Sequence, residues 1–162
     1  MMKRVRGGVT AARGFRASGR WSGIKRRGRP DVALVVADQP AAAAGVLTQN
    51  QIQAAPVVIS RGRLRQGRAR AVLLNSGCAN CMTGREGAAH AHALGAAVAG
   101  ALTISPHEVL LASTGLIGTR LPAGRITRAI PALVADARRG GHRDAARGIL
   151  TTDTVVKEAA IE

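Results

Sequence analysis

Aromatic residues are almost missing from this chain: 162 residues include one Phe, one Trp and no Tyr. Without stacking platforms, the usual way of gripping single-stranded nucleic acid is closed. Acidic residues are scarce too, 9 Asp and Glu against 24 Lys and Arg, so paired carboxylates for general acid–base work have few sources. There are two cysteines, both in Cys78-Ala79-Asn80-Cys81, which is no disulfide framework. No apolar run approaches the ~20 residues of a membrane span. The start, Met1-Met2-Lys3-Arg4-Val5-Arg6, is basic but lacks the apolar stretch of a secretory signal. The expectation is a soluble, cytoplasmic protein. No nucleophile elbow, phosphate-binding glycine loop or dinucleotide fingerprint occurs. His90 and His92 sit two apart on a helical stretch and point to different faces, and the four histidines show no metal-ligand spacing. No metal is expected.

What is present is Ala, Val, Leu and 20 glycines. A 46% hydrophobic content is enough for a core, but one of small side chains at close backbone approach. Phe15 and Trp21 are expected to plug its edge. The net charge of +15 invites a nucleic-acid reading. The scattered arginines and the lack of any zinc-finger, RNP-type or basic-zipper pattern weigh against a specific complex, leaving weak attraction at low salt. The missing acids are equally well explained by a partner polypeptide that carries them.

Residues 1–30, rich in Gly and Arg, read as an irregular lead-in within the domain, with one short strand near Phe15 to Ala17. Residues 31–162 read as an α/β domain, incomplete at its C-terminus. Asp31 to Ala37 is a Val-rich run suited to a buried strand that Gln39-Pro40 ends. Ala41 to Thr48 is a second run, with Gly45 at a bulge or close approach. Pro56 to Ser60 reads as a third strand, Arg61 to Arg70 as a basic loop or short helix, and Ala71 to Asn75 as a fourth strand. Asn75 to Gly84 is a small-residue polar loop, and Thr83 is placed to cap a helix over Arg85 to Leu102. Ser105 to Glu108 is a turn. Pro122 to Arg139 has helical spacing, with Pro131 expected to kink or split it. Asp144 to Leu150 is a short helix with Asp144 as its cap. Thr151 to Lys157 is hydroxyl-rich and enters a β-prone segment. The fold expected is α/β, a mixed sheet with flanking helices.

Val109-Leu110-Leu111-Ala112 drives into Ser113-Thr114-Gly115, then Gly118. A strand ending in a glycine-bearing turn frees backbone N–H groups, and no Cβ at Gly115 blocks a substrate. The Thr114 hydroxyl is a neutral donor suited to a developing oxyanion. The Cys pair suggests a redox couple or half a metal site. The aromatic or Pro neighbour of the first and the further ligands of the second are missing, so two plain thiols in a site loop is the favoured account. Stabilising donors without a general base make this look like half of an active site.

The order of motifs resembles the α chain of the ornithine acetyltransferase family (glutamate N-acetyltransferase, arginine biosynthesis). The pieces are Gly8-Val9-Thr10-Ala11 with Gly14-Phe15, Gly23-Ile24-Lys25, Asp31 to Val35, Ala43 to Asn50, Ala54 to Val57, Asn75-Ser76-Gly77 through Thr83-Gly84, Ser113 to Gly118, and Thr151 to Thr154. The resemblance implies a precursor that cleaves itself before a threonine, the new N-terminal Thr of a β chain being the nucleophile of a ping-pong acetyl transfer from N-acetylornithine to glutamate. It implies Thr114 and Gly115 as the oxyanion-hole pair and Thr151 as a substrate-binding residue. It implies a β-chain partner in an αβ heterodimer that assembles to a heterotetramer, no cofactor, and acetyl-CoA as a co-substrate of some members. The family usually has Asn and Ala where Cys78 and Cys81 stand, and Pro where Val156 stands. Its substrate-binding Lys and nucleophilic Thr lie beyond Glu162, so this chain alone is expected to be inactive and poorly stable. The alternatives are a non-catalytic remnant or interaction protein of the same family, and, less favoured, a basic nucleic-acid-associated protein.

Overall fold

The computed structural model describes residues 2–162. Four strands form one sheet in the order β1 (Phe15–Arg20), β2 (Val32–Ala42), β3 (Arg68–Cys78), β4 (Val109–Leu116). β1 with β2 and β2 with β3 are antiparallel; β3 with β4 is parallel, which requires a crossover, supplied by helix α2 (Gly84–Leu102). This is the mixed sheet with flanking helices expected from the sequence. Alternation along the strands divides the residues between two faces. Val32, Leu34, Val36, Ala71 and Leu73 turn to one side, where Leu94 and Val98 of α2 and Ile126, Ile130 and Leu133 of helix α3 (Ala123–Ala135) complete the main core. Ala33, Val35 and Leu74 turn to the other, against Ala145 of helix α4 (His142–Gly148). That second layer is built at backbone contact: a Cβ on Gly19 would lie 1.9 Å from the Asp144 carbonyl oxygen, and one on Gly141 1.7 Å from that of Ala17. Small residues are thus what brings α4 onto β1. Neither aromatic fills the core: Phe15 is half-buried and Trp21 is 44% exposed.

Several elements depart from the sequence reading. Pro56 to Ser60 is not a strand but part of helix α1 (Ala55–Leu64), with Pro56 in its first turn. Its buried positions, Pro56, Ile59, Ser60 and Arg63, have the i, i+3, i+4, i+7 spacing of a helix face. Two of the four are polar because α1 covers the outer edge of β4. Ser60 Oγ accepts from the Leu111 N–H and donates to the Leu111 C=O, both at 2.8 Å, and Arg63 donates to the Val109 C=O. An edge strand left bare would offer these groups to another chain. Ser60→Ala removes both bonds in a buried place and is expected to cost about 1–3 kcal/mol, checked by chemical denaturation.

β2 runs through Gln39-Pro40 to Ala42, because a register shift between Val36 and Ala41 takes the proline, which has no N–H to give, out of the ladder. The rest of the expected Ala41 to Thr48 strand is irregular, although Gly45 does make the close approach, against Leu64. Thr83 makes no capping bond; its hydroxyl donates to Asn80 Oδ1 at 2.8 Å. Pro131 leaves α3 as one helix. α4 begins at His142, so Asp144 lies inside its first turn, held by Arg138 at 2.7 Å. Thr151 to Lys157 forms no strand. No helix among the described residues is long and apolar enough to cross a membrane.

Candidate functional site

Ser113-Thr114-Gly115 lies within β4 rather than in a turn after it, paired with Asn75, Ser76 and Gly77 of β3. Free backbone donors arise there by alternation instead. In an extended strand the N–H and C=O of one residue point the same way, and successive residues point to opposite edges. Leu111 turns both groups outward to Ser60, while the Leu116 C=O turns inward and accepts from the Ala79 N–H at 2.9 Å. Continued along β4, this alternation assigns the Gly115 N–H to the same outer edge as that of Leu111. Gly115 has φ +126° and stands opposite Gly77 with φ +106°. A Cβ on Gly115 would lie 2.4 Å from the Gly77 carbonyl carbon and 2.6 Å from the Cys78 nitrogen, so no other residue fits without displacing β3. The Thr114 side chain is exposed, and Ser113, half-buried, is tied by its hydroxyl to Asn75 Oδ1 at 2.6 Å.

A loop anchored by one carboxylate lies over this strand end. Asp31 is fully buried at the start of β2. It accepts the Ser22 N–H at 2.6 Å and hydroxyl at 2.8 Å, the Gly23 N–H at 3.2 Å, the Ile24 N–H at 2.8 Å and the Lys25 N–H at 2.9 Å. Successive N–H groups converging on an anion form a nest, and here the anion belongs to the protein. The nest presses Ile24 onto Gly77, where a Cβ would be 2.8 Å from Ile24 Cγ2. Trp21 braces the loop from outside, its indole N–H donating to the Lys25 C=O at 2.8 Å. Lys25 sends Nζ to the carbonyls of Pro30, at 3.2 Å, and Leu150. Burial lowers the Lys25 pKa; the Asp31 charge opposes this and the Arg29 charge adds to it. The bond to Leu150 brings the residue that follows, Thr151, to the same place.

Thr114, Gly115 and Thr151 therefore line one cleft of about 660 Å³, with Gly77, Ile24, Lys25, Arg26 and Arg29. All three site residues singled out from the sequence meet there. The cations of residues 25–29 were not singled out as site residues; their nearness to β4 depends on Asp31, and nothing in the spacing of the sequence shows it. The cleft lining holds no carboxylate and no imidazole. Cys78 is buried with its thiol on the Thr119 carbonyl at 3.1 Å, and Cys81 is half-buried. Among the described residues no three His, Cys, Asp or Glu gather as a metal site.

The sequence profile of the ArgJ family matches residues 16–162. This chain belongs to the ArgJ family. It is 49% identical over 161 residues to the arginine biosynthesis bifunctional protein ArgJ of Thermosynechococcus vestitus, covering 99% of this chain and 38% of that protein. With the ArgJ of Mycolicibacterium paratuberculosis it shares 48% over 162 residues, covering 95% and 40%. The structure superimposes with a TM-score of 0.92 on ornithine acetyltransferase from Mycobacterium tuberculosis, solved with ornithine, at 45% identity, covering 96% of this chain and 85% of that one. ArgJ from Bacillus halodurans gives 0.90 at 37% identity, covering 96% and 82%. The chain thus spans 38–40% of the length of these two curated ArgJ relatives.

Proposed function

We propose that this ArgJ-family chain supplies the oxyanion hole and part of the substrate site of an acetyltransferase that moves acetyl from N-acetylornithine to glutamate. The observation that carries the reading is the shared cleft, which Thr114, with its side chain exposed, lines together with Gly115 and Thr151. The two donors lie on consecutive residues of one strand, which keeps them close to each other. As a nucleophile adds to the acetyl carbon, the carbonyl oxygen gains negative charge, and donors already in place stabilise it without reorganising. Lys25, Arg26 and Arg29 add a positive field that draws carboxylate-bearing substrates. A lining without carboxylate or imidazole offers no base, so the attacking group and its proton acceptor come from a β chain, in an αβ heterodimer that pairs into a heterotetramer. The acetyl group then passes from the nucleophile to the glutamate amine, the first product leaving before glutamate enters. The chain is inactive without that partner and needs no cofactor; acetyl-CoA is an alternative acetyl source.

The test is Thr114→Val in the chain co-produced with the remainder of a family polypeptide. Removing one such donor is expected to lower kcat about 10²–10³-fold, with KM for N-acetylornithine little changed. Thr114→Ser should retain most of the rate. Equal rates for Thr114→Val and the unaltered protein would remove Thr114 from the oxyanion hole, and no turnover by the unaltered protein so assembled would leave the non-catalytic family relative as the better reading.

A further inference from the structure

Thr151 lies just past the end of α4, in a stretch without regular structure, and still lines the cleft with Thr114. Two side chains hold the main chain that leads to it. Ser76, fully buried on β3, donates its hydroxyl to the Gly148 C=O at 2.6 Å. Lys25 donates from Nζ to the Leu150 C=O. Both acceptors belong to the C-terminal end of α4, where helix carbonyls lack partners of their own and positive charge is favoured. Among the described residues, the Lys25 bond is the only hydrogen bond that ties residues 149–154 to anything but α4 and the same segment as far as Lys157. Both arms start from one residue. Asp31 holds the Lys25 N–H with its carboxylate at 2.9 Å and the Ser76 N–H with its carbonyl at 2.8 Å. Ser76 in turn pairs with Thr114 in the β3–β4 register. There is little slack at the clamped end: a Cβ on Gly148 would lie 2.6 Å from the Val32 carbonyl oxygen.

We propose that Ser76 and Lys25 are positioning residues, a two-point clamp on the Gly148 and Leu150 carbonyls that sets Thr151 relative to Thr114 and thereby the affinity of the cleft for its substrate. The proposal rests on the acyl-transfer reading of the cleft and gives Lys25 a task beyond its share of the positive field. An ammonium has three donors, and this one commits two of them to the Pro30 and Leu150 carbonyls, so most of its bonding goes to main chain. A binding residue displaced by about 1 Å can cost up to about 10²-fold, so a tether one residue away from Thr151 has leverage.

Calorimetric titration with ornithine tests this, on the chain co-produced with the remainder of a family polypeptide. Ornithine carries no acetyl group, so binding is read without transfer. Lys25→Met, close in length but without a donor, is expected to raise the Kd about tenfold, Ser76→Ala several-fold and Thr151→Val about tenfold. Lys25→Arg, which can still donate to both carbonyls, should restore most of the affinity. The double variant Lys25→Met/Thr151→Val should bind within about twofold of the weaker single variant, because a clamp acts only through the residue it holds. Lys3→Met, exposed and outside the cleft lining, controls for the loss of a lysine charge and should match the unaltered protein. Circular dichroism identifies a variant that fails to fold; if Lys25→Met is one, the cycle of Ser76→Ala with Thr151→Val decides in its place. Additive losses would overturn the proposal by assigning Lys25 to direct contact with the ligand. Unchanged affinity in Lys25→Met and Ser76→Ala, or no ornithine binding by the unaltered assembly, would overturn it as well. Failure of the acyl-transfer reading shows separately, as no acetyl transfer by the unaltered assembly, while ornithine affinity still reports the clamp.

Discussion

Asp31→Ala is expected to destabilise the protein by about 4–5 kcal/mol, a loss in Tm of roughly 10–20 °C for a chain of this size. The carboxylate is buried and accepts five hydrogen bonds, four from consecutive backbone N–H groups. Alanine leaves those donors facing a void, and each donor that finds no water costs about 1–3 kcal/mol. Local relaxation of residues 22–25 toward solvent will recover some of this, which is why the total is set below the sum. Asp31→Asn tests the charge separately. An amide places two N–H groups where only acceptors are wanted, so it should recover little, whereas Asp31→Glu keeps the charge and misplaces it by one methylene. Thermal melts order the three variants. Hydrogen exchange should show the amides of Ser22 to Lys25 losing protection first in Asp31→Asn. Retained protection there would show that the nest does not depend on this carboxylate.

The second large effect is expected from Gly115→Val. Its cost has two parts. A β-branched residue at φ +126° is strained by about 1–3 kcal/mol. Its Cβ also meets the Gly77 and Cys78 backbone at 2.4–2.6 Å, which forces β4 away from β3. Together these amount to roughly 4 kcal/mol, read by chemical denaturation. If Gly115 serves the oxyanion hole as proposed above, the displaced N–H would also cost the assembled protein more than about 10³-fold in acetyl-transfer rate. Gly118→Ala, also at positive φ but with open space around its Cβ position, provides the contrast: modest strain and no clash. If Gly115→Val melted like Gly118→Ala, the close pairing of the two strand ends would be wrong.

The parts of the fold that follow apolar periodicity were legible in the sequence. The strands begun at Asp31 to Ala37, Ala71 to Asn75 and Val109 to Ala112 exist but run three to five residues beyond those apolar cores, because ladder pairing continues through polar and small residues; the helices after Gly84 and Pro122 also form. α1 was not legible, because its packing face carries Ser60 and Arg63 where the period-3.6 pattern needs apolar residues. Their partners are main-chain groups of β4, contributed by residues some fifty positions away. Thr114 and Gly115 were legible as a hydroxyl and a Cβ-free residue at the end of an apolar run, Thr151 only by resemblance, and the structure places all three on one cleft. The mechanism that gathers them was hidden for the same reason as α1: Asp31 binds backbone, and backbone donors leave no trace in residue type. At the head of a Val-rich run, an aspartate looks like an ordinary strand-entry residue.

With no tyrosine and a single tryptophan, this chain has one intrinsic fluorophore that dominates its emission, and Trp21 is 44% exposed on the very loop whose main chain Asp31 holds. Emission from the protein is therefore a gauge of that loop and hardly of the core. Cleft occupancy and loop release would both register as a wavelength or quenching change, while loosening of the alanine-lined layer beneath α4 would pass unseen by the same optical signal.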